Sequence, residues 1–168
     1  MHSEKESVLD ILKQAIFLEI QGRTFYSKVA EQSNSEGITD IFKTMAREEE
    51  SHIEYLTKYS NNYRNSGVFP AFSSISTNPE LAETVLSDEM KKSISAASYE
   101  AAAVSAAIEM EKKAIALYQD RAASAEDSNE KQLYDELAKW ELTHLDVLTD
   151  LNDTIVESAW NENSFWPF

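Results

Sequence analysis

Apolar residues recur at the helical period through four stretches of the chain. The first runs from Ser3 or Ser7 to about Gln32, with Val8, Ile11, Leu12, Ala15, Ile16, Ile20, Tyr26 and Val29 on its stripe. A polar break, Ser33-Asn34-Ser35-Glu36-Gly37, leads to a second stripe of Ile38, Ile41, Phe42, Met45, Ile53, Leu56 and Tyr59 that ends near Tyr63. So short a connection makes the first two helices antiparallel neighbours. From Asn65 to about Asp88 the pattern is interrupted by Gly67, Pro70 and Pro79, although Ser76-Thr77-Asn78-Pro79 reads as a cap with proline at the first helical position and places a short helix at Pro79–Leu86. A third helix is expected from roughly Glu89 to Ala123. It is rich in alanine between Ala96 and Ala107, where small side chains let a neighbour pack closely. After the break Ser124–Ser128 a fourth helix runs to about Ala159, striped by Leu133, Leu137, Leu148, Leu151 and Ile155. The tail 160–168 carries Trp160, Phe165, Trp166 and Phe168, which can fold back on the helices, fill a subunit interface or dock into a partner.

The two halves of the chain superimpose without a gap at an offset of 92, the separation of Glu49 from Glu141. Tyr26 falls on Tyr118, Ala30 on Ala122, Phe42 on Tyr134, Met45 on Leu137, Ala46 on Ala138 and Leu56 on Leu148. Each half is a helix pair that cannot bury its apolar face alone. The expectation is one all-α domain: helix pair 3–63, crossover 64–88, helix pair 89–159, tail 160–168. Packing the pairs gives a four-helix bundle with an internal twofold repeat. The long crossover between helices 2 and 3 makes the suggested topology ferritin-like.

Composition agrees with helix, since only three Gly and three Pro are available for turns in 168 residues. Thirty acidic against fifteen basic side chains give a formal charge of −15, which disfavours nucleic acid and anionic membranes as partners. The polar start Met1–Glu6 and the lack of any run of membrane-spanning length point to a cytoplasmic protein. There is no cysteine, so thiolate metal sites and iron–sulfur centres are excluded from this chain.

Charge changes the picture most where it interrupts the stripes. Glu49 and His52 stand between Met45 and Leu56 at positions where core side chains belong, and Glu141 and His144 do the same between Leu137 and Leu148. Thirty residues before each Glu-x-x-His stands another carboxylate in an apolar run, Glu19 and Glu111. A buried carboxylate without a partner costs several kcal/mol or takes up a proton, and only Arg23 lies near these stripes. Four carboxylates and two neutral imidazoles balance two divalent cations. Mixed oxygen and nitrogen donors suit Fe, Mn or Zn. Symmetry assigns Glu19 and His52 to one ion and Glu111 and His144 to the other, with Glu49 and Glu141 bridging. A single Glu-x-x-His in so Glu-rich a chain would be weak evidence, whereas two copies in register with the same upstream Glu are specific.

Tyr26 and Tyr118 lie two turns beyond Glu19 and Glu111, either hydrogen-bonding site carboxylates from behind or filling the core. Glu48, Glu50 and Glu109 lie off the stripes and read as solvated surface. Glu54 and Asp146 read as surface rather than as support for a ligand, and His2 as a terminal residue.

With Glu19, Glu49-x-x-His52, Glu111 and Glu141-x-x-His144 in place, and runs such as Ala107-Ile108-Glu109-Met110-Glu111-Lys112-Lys113-Ala114 and Leu117-Tyr118, the chain resembles the ferritin-like di-iron carboxylate superfamily, in particular the rubrerythrins. The resemblance covers Val8 to Ile155 apart from the crossover. It implies a di-iron centre that reduces hydrogen peroxide, often in a homodimer whose subunits exchange helices. Two departures are visible. Rubrerythrins usually carry a four-cysteine rubredoxin iron site, which this chain cannot form, so an external electron-donor protein is expected. They also carry a further carboxylate one turn after the third-helix ligand, where this chain has Ala114, with Gly22 as its counterpart in the first helix. The remaining six-residue set is similar to that of bacterioferritins, which leaves a ferroxidase or iron-storage function open. No Met stands between Glu49 and His52 to hold haem, so haem is not expected. A metal-free helical interaction protein, acting through its aromatic tail, is the third reading.

Overall fold

The computed structural model of the chain describes residues 2–73 and 99–162, with side chains placed over 8–73 and 99–161. Four helices account for nearly all of these: α1 (His2–Gln32), α2 (Glu36–Ser66), α3 (Tyr99–Ser124) and α4 (Ser128–Glu162), with no strand among the described residues. The short helix expected at Pro79–Leu86, the expected first turns of the third helix from Glu89, and Phe165, Trp166 and Phe168 lie outside the described residues.

Helix ends follow local chemistry. The second helix continues three residues past Tyr63 because its stop signal is Gly67, which takes the left-handed conformation at φ 73° and donates its N–H to the Tyr63 carbonyl at 2.7 Å. Asp127 caps α4 by accepting the N–H groups of Asn129 and Glu130 at 2.7 and 3.1 Å. The turn between α1 and α2 is tied down by Glu100 at the start of α3, whose Oε1 accepts from the Asn34 N–H at 2.9 Å and from Ser33 Oγ at 3.1 Å. The fourth helix also runs past its expected end, so Trp160 belongs to its last turns and stands 64% exposed.

Side-chain pairings show which way each helix runs. Glu19 meets His52 and the Tyr26 ring meets Phe42, so α1 and α2 are antiparallel. Glu111 meets His144 and Arg121 meets Glu130, which makes α3 and α4 antiparallel. Tyr26 reaches Glu111 while Tyr118 reaches Glu19, so α1 and α3 are antiparallel as well. It follows that α2 and α3 run in the same direction, and the end of α2 and the start of α3 lie at opposite ends of a ferritin-like four-helix bundle.

The apolar core is divided in two. At one end Leu12, Tyr59, Tyr118, Leu133, Tyr134 and Leu137 pack together, and at the other Tyr26, Ile38, Phe42, Met45, Val104 and Leu151. Counterparts at the 92-residue offset fall in opposite halves, as with Tyr118 and Tyr26 or Leu137 and Met45. An approximate twofold axis therefore crosses the bundle between the halves. Each fully buried Leu or Phe contributes about 1.5–3 kcal/mol, so two apolar clamps hold whatever lies between them at fixed spacing.

Candidate metal centre

What lies between the two halves is a layer of carboxylates and imidazoles. Each helix supplies its share because the helical period returns one face every three to four residues. On α2 the sequence Met45, Glu49, His52, Leu56 lies on one buried face, and on α4 so does Leu137, Glu141, His144, Leu148; α1 adds Glu19 and α3 adds Glu111. All six residues are at most 5% exposed.

Both imidazoles present Nδ1 to the carboxylates. His52 Nδ1 lies 3.0 Å from Glu19 Oε2, 3.1 Å from Glu141 Oε1 and 3.4 Å from Glu49 Oε2. His144 Nδ1 lies 3.3 Å from each of Glu49 Oε1, Glu111 Oε1 and Glu141 Oε2. Glu49 and Glu141 thus each turn one oxygen to either imidazole, whereas Glu19 serves only His52 and Glu111 only His144. Two groups of converging donor atoms result, Glu19, Glu49, His52, Glu141 and Glu49, Glu111, Glu141, His144, each within 4.8 Å across.

Two tyrosines stand behind the terminal carboxylates, and they cross between halves. Tyr26 donates its hydroxyl hydrogen to Glu111 and Tyr118 donates to Glu19. Burial, first, and the charge of the adjacent carboxylate, second, push both phenols well above their ordinary range, so both remain donors.

Protons are drawn into the cluster for the same reasons. Burial and the charges of Glu141 and Glu49 raise the Glu19 carboxyl well above its ordinary value, and burial and Glu141 push Glu111 up to about 8. Burial alone would lower His52 and His144, but the charges of Glu141 and Glu111, respectively, and the hydrogen bonds around them raise both. Burial would also raise Glu49 and Glu141. Glu49 is instead held down by its polar contacts with Glu19, His144 and His52, and Glu141 is held well below its usual range by the charge of His52 and by the nearness of both imidazoles. With protons as the only cations, the cluster approaches neutrality by keeping carboxyls on Glu19 and Glu111 and charge on both histidines.

One sequence expectation is overturned. Glu48 is not a solvated surface residue: its side chain is 18% exposed, and its Oε2 lies 2.8 Å from His144 Nε2. Its place one residue before Glu49 turns it off the α2 stripe and toward α4. The signal was available at the offset of 92, where its counterpart is Trp140, a residue too apolar for a solvated face. Trp140 is buried and stacks on His52, with centroids 5.0 Å apart and planes at 15°. Arg23 is no counter-ion for the cluster, since it pairs with Glu50 at the surface. Glu109 pairs with Lys112 at 2.9 Å, and Glu54 and Asp146 are exposed.

A family model described as rubrerythrin matches residues 10–152. The chain belongs to the rubrerythrin family. No curated protein and no solved structure is matched by the chain. Rubrerythrins are ferritin-like bundles that typically bind two irons, and the cluster fits such a pair in two respects. His144 Nδ1 is fully buried and makes no hydrogen bond among the described residues, although three carboxylate oxygens converge on it, and Glu141 Oε1 is likewise without one. Buried polar atoms left in this condition are expected where an ion completes the set. In addition, oxygen and imidazole donors in this ratio are those that first-row divalent ions accept, and with no cysteine in the chain a thiolate-held iron–sulfur centre is ruled out.

A groove of about 610 Å³ opens from the surface onto the layer between α1 and α3. Its walls include Phe25, Met110 and Ala114, and Glu19, Glu49, Glu111 and Glu141 lie on it. Gly22 also lines it, and a Cβ at that position would come within 3.2 Å of Glu49 Oε1. No helix among the described residues is long and apolar enough to cross a membrane.

Proposed function

We propose that the chain is a non-haem di-iron oxidoreductase that reduces peroxide or dioxygen and is reset by an external electron-donor protein. The observation that carries this reading is that Glu49 and Glu141 each offer one oxygen to either half of the site, so that two ions held there would share them as ligands. Iron held by these residues would supply the two electrons that the oxidant takes up.

The chain's own residues do the rest. Glu19 with His52 and Glu111 with His144 hold the two positions apart, and the paired carboxylates tie them together. The hydroxyls of Tyr118 and Tyr26 fix the outer carboxylates by their Oε1 atoms and leave Oε2 of Glu19 turned toward His52. The apolar halves on either side keep bulk water from the layer, while the groove beside Gly22 and Ala114 is the route for a small oxidant. Iron follows from the family, although the same donors accept Mn or Zn.

The test is rapid mixing of the reduced, iron-loaded protein with hydrogen peroxide or dioxygen. Oxidation faster than that of free ferrous ion is expected for at least one of them, and oxidation no faster with either contradicts the proposal. A ferroxidase or iron-storage function is the second reading. It is favoured by the buried Ala114 beside the groove, where the resemblance calls for a further carboxylate. Gel filtration separates the two, since the oxidoreductase is expected as a homodimer and a storage protein as a large closed shell.

A further inference from the structure

His52 and His144 are counterparts at the 92-residue offset, yet they are supported from behind in different ways. Glu48 places a carboxylate oxygen 2.8 Å from the Nε2 edge of His144. The counterpart of Glu48 in the other half is Trp140, which covers the face of His52 with its indole ring. The two positions share one ligand plan: one outer Glu, one His through Nδ1, the same two shared carboxylates, and one tyrosine donating to the outer Glu.

The two supports do different things. A carboxylate on Nε2 accepts the ring N–H, selects the tautomer whose Nδ1 lone pair faces Glu49, Glu111 and Glu141, and makes the imidazole a stronger donor. The other oxygen of Glu48, Oε1, is buried and makes no hydrogen bond among the described residues, so nothing draws the carboxylate away from His144. A stacked indole fixes the plane of a ring through dispersion but supplies neither an acceptor nor charge.

We propose that Glu48 is a positioning residue that makes the two metal positions unequal, so that the position between Glu111 and His144 binds its ion more tightly than the position between Glu19 and His52. The inference rests on the reading of the cluster as a two-metal site.

Titration of metal-free protein with Co²⁺, followed by visible absorption and by calorimetry, tests it in the full chain. Two unequal binding steps are expected for the unaltered protein, and Glu48→Gln is expected to weaken the tighter step by about tenfold or more while changing the weaker by less than about twofold. Equal affinities in the unaltered protein, or a Glu48→Gln variant that weakens both steps alike or neither, overturn the inference while leaving the two-metal site standing. Binding of no Co²⁺ at all overturns the site and the inference together. Should Glu48→Gln fail to fold, nitrogen-15 spectra of the unaltered Zn²⁺-loaded protein decide. An Nε2–H of His144 shifted far downfield of any His52 signal supports the proposal, and matching ring signals overturn it.

Discussion

Tyr118 on α3 donates its hydroxyl hydrogen to Glu19 on α1, a carboxylate belonging to the other half of the repeat. The bond ties the two helix pairs together at the site itself, where burial makes an unsatisfied carboxylate oxygen expensive. Tyr118→Phe is therefore expected to weaken the position between Glu19 and His52 by about tenfold to a hundredfold. Tyr26→Phe should do the same on the Glu111 side. Competition against a chromogenic chelator measures both, and unchanged affinity in each variant would reduce the tyrosines to core filling.

Gly22 sets two effects against each other. Replacing a mid-helix glycine by alanine stabilises a helix by about 0.5–1 kcal/mol, but here the new Cβ would meet Glu49 Oε1 at 3.2 Å. Gly22→Ala is expected to leave the thermal stability of the metal-free protein unchanged or raised while lowering its metal affinity. Thermal melts and metal titration of the same preparation check both signs.

Acidity acts through Glu111. Its folded value of about 8 stands above the ordinary 4.5, so the native metal-free protein holds a proton there that the unfolded chain releases. The stability that this proton brings is fully present below pH 4.5 and is lost as pH rises through about 8. His52 and His144, also raised, act in the same direction, whereas Glu49 and Glu141, both lowered, lose stability only as pH falls through the acidic range. Metal-free protein is expected to melt at a lower temperature at about pH 8.5 than at about pH 5.5, and Glu111→Gln to flatten that slope. Metal displaces these protons, so loaded protein should show the opposite trend.

Far from the site, Arg121 pairs with the buried carboxylate of Glu130 at 2.8 Å. Arg121→Ala leaves that charge uncompensated and should cost about 3–5 kcal/mol in urea unfolding, without changing the number of metal ions bound. Loss of metal in this variant under folded conditions would mean that the cluster depends on the end of the bundle more than the separate cores imply.

That these six residues come together in one buried layer was legible because each breaks an apolar stripe, and Glu49, His52, Glu141 and His144 do so at core positions. The fold followed from the same stripes and from the repeat, which needs no knowledge of contacts. Contacts that depend on helix direction were not legible. That Tyr118 reaches Glu19 and not Glu111 follows from α1 and α3 being antiparallel, which the apolar period alone does not give. Glu48 was missed because one residue along a helix is a turn of about 100°, enough to leave the α2 stripe yet still face α4. Only comparison with Trp140 at the matching position would have shown that this face is covered. Gly67 was legible as a break, but the apolar stripe, ending near Tyr63, does not show that α2 runs on to Ser66, the residue before that left-handed glycine.

On this reading six residues from four helices would form one site for two ions sharing Glu49 and Glu141. Anomalous scattering at the iron edge from crystals of iron-loaded protein tests it most directly. Two peaks about 3.5–4 Å apart are expected, one beside Glu19 and His52, the other beside Glu111 and His144, with Glu49 and Glu141 between them. A single peak, peaks elsewhere on the acidic surface, or no peak in iron-soaked crystals would rule out a shared two-ion site.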